Sequence, residues 1–221
     1  MLREAFERDL QGLQDEVLVL GSMVEKAIIE SVESLKQQNQ EKAQRLIDQD
    51  RTLNEKRFAI ESNALILIAT QQPMASDLRT LAAVLEIATE LERIGDYAKG
   101  IAKINLMIGK EHLIKPLVDI PRMAEKARDM LHRALEAFVQ RDVDLARAIP
   151  ADDDEVDALY NQVYRELLTF ILKDPRTLDQ ATHLLWVAHN LERAADRVIN
   201  ICERVVFTVT GKLMEMDVEE G

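Results

Sequence analysis

Glu92 and Asp96 lie four residues apart, and the same pair recurs one hundred positions later as Glu192 and Asp196. On a helix this spacing puts both carboxylates on one face, with their Cβ atoms about 6 Å apart. Like charges so placed repel by a few tenths of a kcal/mol, roughly 0.2–0.5. A hard cation bound through oxygen ligands converts that repulsion into attraction. The plainer reading is a solvated acidic face, which an acidic helical chain produces by chance; Glu86 and Glu90 form another such pair. Recurrence at equivalent places in two halves favours the cation.

The elements that must position these carboxylates are helices. Leu10, Leu13, Val17, Leu20, Val24, Ala27, Ile28, Val32 and Leu35 step by three and four, the stripe of a helix with one buried face. Gln37-Gln38-Asn39-Gln40 breaks it, with Asn39 placed to cap a second helix that runs to Gln71 and stops at Gln72-Pro73. A third helix is expected from about Ser76 to Ile108, and Gly109 to Pro121 reads as a linker. A fourth runs from about Arg122 to Gln140. A fifth follows Pro150, where Asp152-Asp153-Asp154-Glu155 suits a helix N-terminus, and ends at Lys173-Asp174-Pro175. The sixth opens on Thr177 and Gln180, spaced as a capping box, and reaches Thr210.

Shifting the third helix by one hundred lays it on the sixth: Leu85, Ala88, Leu91, Glu92, Arg93, Asp96 and Ile101 meet Leu185, Ala188, Leu191, Glu192, Arg193, Asp196 and Ile201. The fold class is therefore all-α, two tandem three-helix bundles related by internal duplication. The first repeat spans 1–110 and the second 117–210, followed by an acidic tail over 211–221. In an antiparallel hairpin, residues equally far from the turn face each other. With turns near 74 and 176, Glu92 and Asp96 face the neighbourhood of Asp50, Asn54 and Glu55, while Glu192 and Asp196 face that of Asp153 and Asp157. Gly95 and Gly100, each costing about 1 kcal/mol in a helix, suggest close backbone approach, for which plain helix packing is the simpler explanation. Ala195 makes the second site less open. His183 and His189 read as structural or surface residues, Cys202 and Trp186 as core.

Composition narrows the function. The chain of 221 residues is 47% hydrophobic, 31% charged and 4% aromatic, with a net charge of −12. That balance is opposite to what phosphate backbones need, so no nucleic acid is expected as a partner. Its longest apolar run, Leu65 to Ala69, cannot span a bilayer, so direct membrane insertion is not expected. A single cysteine and an N-terminus without the apolar stretch of a signal peptide point to the cytoplasm. Glycine-rich phosphate loops and Glu-x-x-His pairs are absent, and no catalytic site is assembled; the protein is not expected to be an enzyme.

The stretches Gln72-Pro73-Met74-Ala75-Ser76-Asp77-Leu78-Arg79, Leu91-Glu92-Arg93-Ile94-Gly95-Asp96, Ala181-Thr182-His183-Leu184-Leu185-Trp186 and Asn190-Leu191-Glu192-Arg193-Ala194-Ala195-Asp196 resemble the PhoU family over nearly the whole chain. That resemblance implies an accessory regulator of phosphate-specific transport and a homodimer. It also implies divalent or iron-type metal ions, multinuclear in some members, on Glu92, Asp96, Glu192 and Asp196, with Asp50, Asn54, Asp153 and Asp157 as opposing ligands. Asp77 and Asp179 match a further acidic position. The implied role is negative regulation, linking the transporter's ATPase subunit to a sensor histidine kinase. Two other classes stand beside it: a carboxylate-bridged metal enzyme, which the missing histidine ligands disfavour, and a purely structural helical scaffold.

Overall fold

The computed structural model describes residues 2–216 and is helical nearly throughout. Helix α1 (Leu2–Lys36) buries the apolar stripe read from the sequence, and its first turn is tied across the bundle by Arg3 to the buried Asp77 at 2.5 Å. Asn39 caps α2 (Gln40–Gln71), its side chain accepting from the Lys42 N–H at 2.9 Å. Ahead of Pro73, Gln72 adopts left-handed φ/ψ (46°, 61°), which ends the helix where the proline could not continue it. Helix α3 spans Ala75–Ile108, one residue longer at its start than expected.

The second repeat departs from the sequence reading in three places. Helix α4 begins at Asp119, not Arg122, because Pro121 falls in the first turn, where its missing N–H has no intrahelical partner to lose. The gap expected between residues 140 and 150 is a short helix, α5 (Val143–Ala148), capped by Asp142 and continued by a 3₁₀ turn over Ile149–Asp152. Helix α6 then runs Asp153–Lys173 and α7 runs Leu178–Thr210. In effect the middle helix of the second repeat is α2 broken at Pro150. The expected capping box is not formed either. Thr177 donates instead to the Asp174 carbonyl, and Gln180 holds the linker, accepting from Ile114 N–H and donating to His112 O.

The two bundles lie side by side around one continuous core. Leu135 of α4 closes over Gly21 of α1, so tightly that a Cβ there would fall 2.2 Å from its methyl group. Helices α3 and α7 run antiparallel across the repeat boundary along a polar seam: Arg204 meets Glu86 at 2.7 Å, Arg197 and Asn200 reach Glu90, and Asn190 abuts Gly100. Cys202 is buried as expected, but Trp186 is 51% exposed, its ring edge against His183. Beyond α7, Gly211 turns left-handed and Met216 N–H returns to Glu203; the rest of the acidic tail, 217–221, lies outside the described residues.

Candidate metal centre: two acidic clusters

The contacts made by the expected site residues differ between the two hairpins. In the first repeat, Asp50 is buried on α2 and Asn54 donates to it at 3.4 Å. Opposite, on α3, Glu92 is half-buried and Asp96 exposed. Between them lies Lys99, a residue the spacing argument did not single out. Its ammonium donates to Asp50 Oδ2 at 2.6 Å and to Asp96 Oδ1 at 3.4 Å. The hydrogen bond to Asp50 raises the Lys99 pKa, so the amine stays charged and acts as an internal counter-ion. Gly95 lets the helices close on this site: a Cβ would meet Leu53 at 3.1 Å. Glu55, the third opposing residue expected here, instead pairs outward with Arg51 at 2.8 Å.

The second repeat has no such amine. Position 199, one hundred beyond Lys99, is isoleucine, and Asn54 is matched by Asp157. Pro150 ends the preceding segment, so Asp153 opens α6 and is 7% exposed, held against α7 rather than in water. Burial first, then the charges of Asp196, Asp157 and Glu192, push the Asp153 carboxyl up to about 7. Burial and the charges of Asp196 and Asp157 push Glu192 up to about 7, against a lowering by Arg193. Asp157 is raised as well, by burial and then by Asp196 and Asp154. Arg193 offsets part of this charge through Asp196 at 2.9 Å. His189 Nδ1 stands 3.2 Å from Glu192 Oε2 without hydrogen-bond alignment, and both Glu192 Oε2 and Asp153 Oδ1 are buried with no hydrogen-bond partner.

Among the described residues, no three His, Cys, Asp or Glu side chains already converge tightly enough to hold a metal ion. Four carboxylates without a cation repel and spread, so closure requires rotation of their side chains about χ angles the exposed Asp157 and half-buried Asp196 can change. The donor set of the second cluster fits a hard cation: oxygen ligands only, excess negative charge, and two orphaned buried oxygens. The first cluster fits less well while Lys99 remains in it. The sequence did carry the signal for this difference, since Lys99 and Ile199 align. The further acidic pair also divides, Asp77 being buried in its bond to Arg3 and Asp179 exposed near the turn.

Comparison with known proteins agrees with this duplication. The family model described as the PhoU domain matches twice, over residues 17–104 and 120–205. A phosphate-specific transport system accessory protein PhoU homolog from Clostridium acetobutylicum is 38% identical over 221 residues, covering 98% of this chain and 100% of the relative. The accessory protein PhoU of Escherichia coli is 33% identical, covering 94% and 86%. The crystal structure of PhoU from Pseudomonas aeruginosa superposes with a TM-score of 0.88 at 30% identity, over 94% of this chain and 100% of that one. The phosphate transport system regulatory protein PhoU from Streptococcus pneumoniae gives 0.88 and 30%, over 95% and 99%. No helix among the described residues is long and apolar enough to cross a membrane.

Proposed function

The chain belongs to the PhoU family, and we propose that within a phosphate transport system it is a cytoplasmic, metal-binding adaptor that restrains phosphate uptake and the phosphate-starvation response. The observation that carries the metal part is the uncompensated second cluster. Asp153, Asp157 and Glu192 lie beside Asp196 where burial resists their ionisation, and two of the oxygens, on Asp153 and Glu192, have no hydrogen-bond partner. These four residues would hold the ion, with Asp50, Asn54, Glu92 and Asp96 as the weaker counterpart. A divalent or iron-type ion there supplies charge neutralisation between α6 and α7. The chain's own contribution is to bring two helix faces together and to place isoleucine at position 199, where the first repeat has the amine of Lys99.

In this reading the protein has no reaction of its own. Metal occupancy sets how firmly α6 is held to α7, and the outward helix faces meet the ATPase subunit of the transporter and a sensor histidine kinase. A net charge of −12 favours basic surfaces on those partners.

Elemental analysis of the untagged protein beside the Asp96→Asn/Asp196→Asn variant tests the metal reading. Stoichiometric metal that falls in the variant supports it, and no metal in either after reconstitution removes it. The regulatory reading is tested separately: deletion of the gene should switch on phosphate-starvation genes in phosphate-rich medium, and unchanged expression would count against it.

A further inference from the structure

Where α3 crosses α7, equivalent residues of the two repeats meet. Positions 93 and 97 correspond to 193 and 197, and the four are Arg93, Tyr97, Arg193 and Arg197. Three guanidiniums therefore gather in a chain whose net charge is −12. They are linked in a row. Arg93 reaches Glu90 Oε1 and Arg197 reaches Glu90 Oε2, each at 3.4 Å, and Asn200 joins Oε2 at 3.3 Å. Arg197 and Arg193 both donate to the Tyr97 hydroxyl, and Arg193 also holds Asp196 at 2.9 Å.

The row is short of acceptors. Three cations meet two carboxylates, and the bonds to Glu90 all lie at the long end of the hydrogen-bond range. Arg197 Nε is buried with no hydrogen-bond partner among the described residues. Tyr97, accepting from two guanidiniums, has its own hydrogen to give elsewhere. The counterpart of Glu90 is Asn190, which abuts Gly100, so no second carboxylate enters from that position. Arg93 is 48% exposed, which opens the row to water, while Glu90 stays 12% exposed within it.

Guanidinium forks with a phenol beside them are donors suited to a tetrahedral oxyanion. The carboxylate among them narrows the choice. It repels an anion that has no hydrogen to offer and accepts a hydrogen bond from one that has. Phosphate keeps an O–H near neutral pH, whereas sulfate has none, and neither does a phosphomonoester once its second proton has left, above about pH 6.

We propose that the α3–α7 seam around Arg93, Tyr97, Arg193 and Arg197 binds free hydrogen phosphate, with Glu90 accepting the ion's own O–H and so selecting it. The site uses neither the metal clusters nor a partner protein, and it goes beyond the adaptor reading. The test is isothermal titration of the full chain in chelator and low salt at about pH 8, where the monoester is a dianion, with inorganic phosphate, sulfate and phenyl phosphate as probes. Phosphate should bind saturably as a single ion per chain, and the other two roughly tenfold or more weakly. Arg93→Gln should weaken phosphate binding roughly tenfold, and Tyr97→Phe about three- to tenfold, with helicity unchanged in both. Glu90→Gln should bring sulfate up to the affinity of phosphate. An absence of saturable phosphate binding overturns the proposal, as does binding that both Arg93→Gln and Tyr97→Phe leave unchanged. Sulfate held by the parent as tightly as phosphate would mark an adventitious ion only and overturn it too.

Discussion

The two acidic clusters began as copies of one arrangement and now solve the same electrostatic problem differently. In the first, a lysine from the same helix enters the site and closes it: Lys99 satisfies Asp50 and Asp96 together. In the second, isoleucine takes the lysine's place, aspartate takes that of Asn54, and Pro150 breaks the helix just before Asp153. The consequence is a group of four carboxylates with one arginine and one histidine beside them and two oxygens without a hydrogen bond. An internal cation makes a stable cluster that needs nothing from outside. Leaving it out makes a cluster that is costly alone and receptive to an external cation.

Exchanging that one residue should have the largest effect. Lys99→Ile copies the second repeat and leaves the buried Asp50 with only Asn54; breaking a well-buried pair costs 3–5 kcal/mol, and partial exposure of Lys99 lowers this to about 2–3 kcal/mol. Urea unfolding in chelator should show that loss, and added divalent metal should restore much of it. An unchanged midpoint would mean that Lys99 is not the counter-ion described. The reverse exchange, Ile199→Lys, should stabilise the chelated protein and lower its metal content.

The pH dependence sharpens the same contrast. Asp153 and Glu192 have folded-state values near 7, well above those of the unfolded chain. Between about pH 4 and 7 the folded chain therefore holds protons that the unfolded chain has released. Stability conferred by that retention is fully present below about pH 4 and is lost as pH rises through 7. Chelated protein should accordingly unfold more easily at pH 8 than at pH 5, and Ile199→Lys should flatten the slope. With metal present the trend should reverse, because ligands bind deprotonated. A chelated protein more stable at pH 8 would contradict the site.

Single substitutions then separate the halves. Asp196→Asn should reduce metal affinity roughly tenfold or more, and Asp96→Asn should reduce it less, as isothermal titration or elemental analysis can read. Equal losses would remove the asymmetry. The smallest effect is expected from Gly95→Ala, which copies Ala195. Helix propensity gains about 1 kcal/mol while the new methyl presses on Leu53 at 3.1 Å, so thermal unfolding should shift by less than about 1 kcal/mol in either direction.

Much of this was legible in the sequence where one periodicity decides the outcome. The stripe from Leu10 to Leu35, the Asn39 cap, the stop at Pro73 and the match of Leu91-Glu92-Arg93 with Leu191-Glu192-Arg193 all follow from local rules, and all appear in the structure. What local rules could not reach was competition for a side chain. Thr177 and Gln180 have capping spacing, yet Gln180 finds two backbone partners in the linker nearly seventy residues away and leaves the helix end. Trp186 sits in an apolar run, but its position on α7 turns it outward. Lys99 was visible as a charge three residues after Asp96; only the α2–α3 register shows that it also reaches Asp50.

The polar seam between α3 and α7 also bears on how the chain is made. Its ion pairs join residues 107 and 118 positions apart, Glu90 with Arg197 and Glu86 with Arg204. At ordinary translation rates the ribosome needs roughly 5–20 seconds to synthesise that many residues. During that interval the first repeat has emerged and α7 has not. Because this edge of α3 is written in glutamates, the waiting half presents water with groups it can solvate, and the second repeat can arrive late without the first having found a wrong partner along that side.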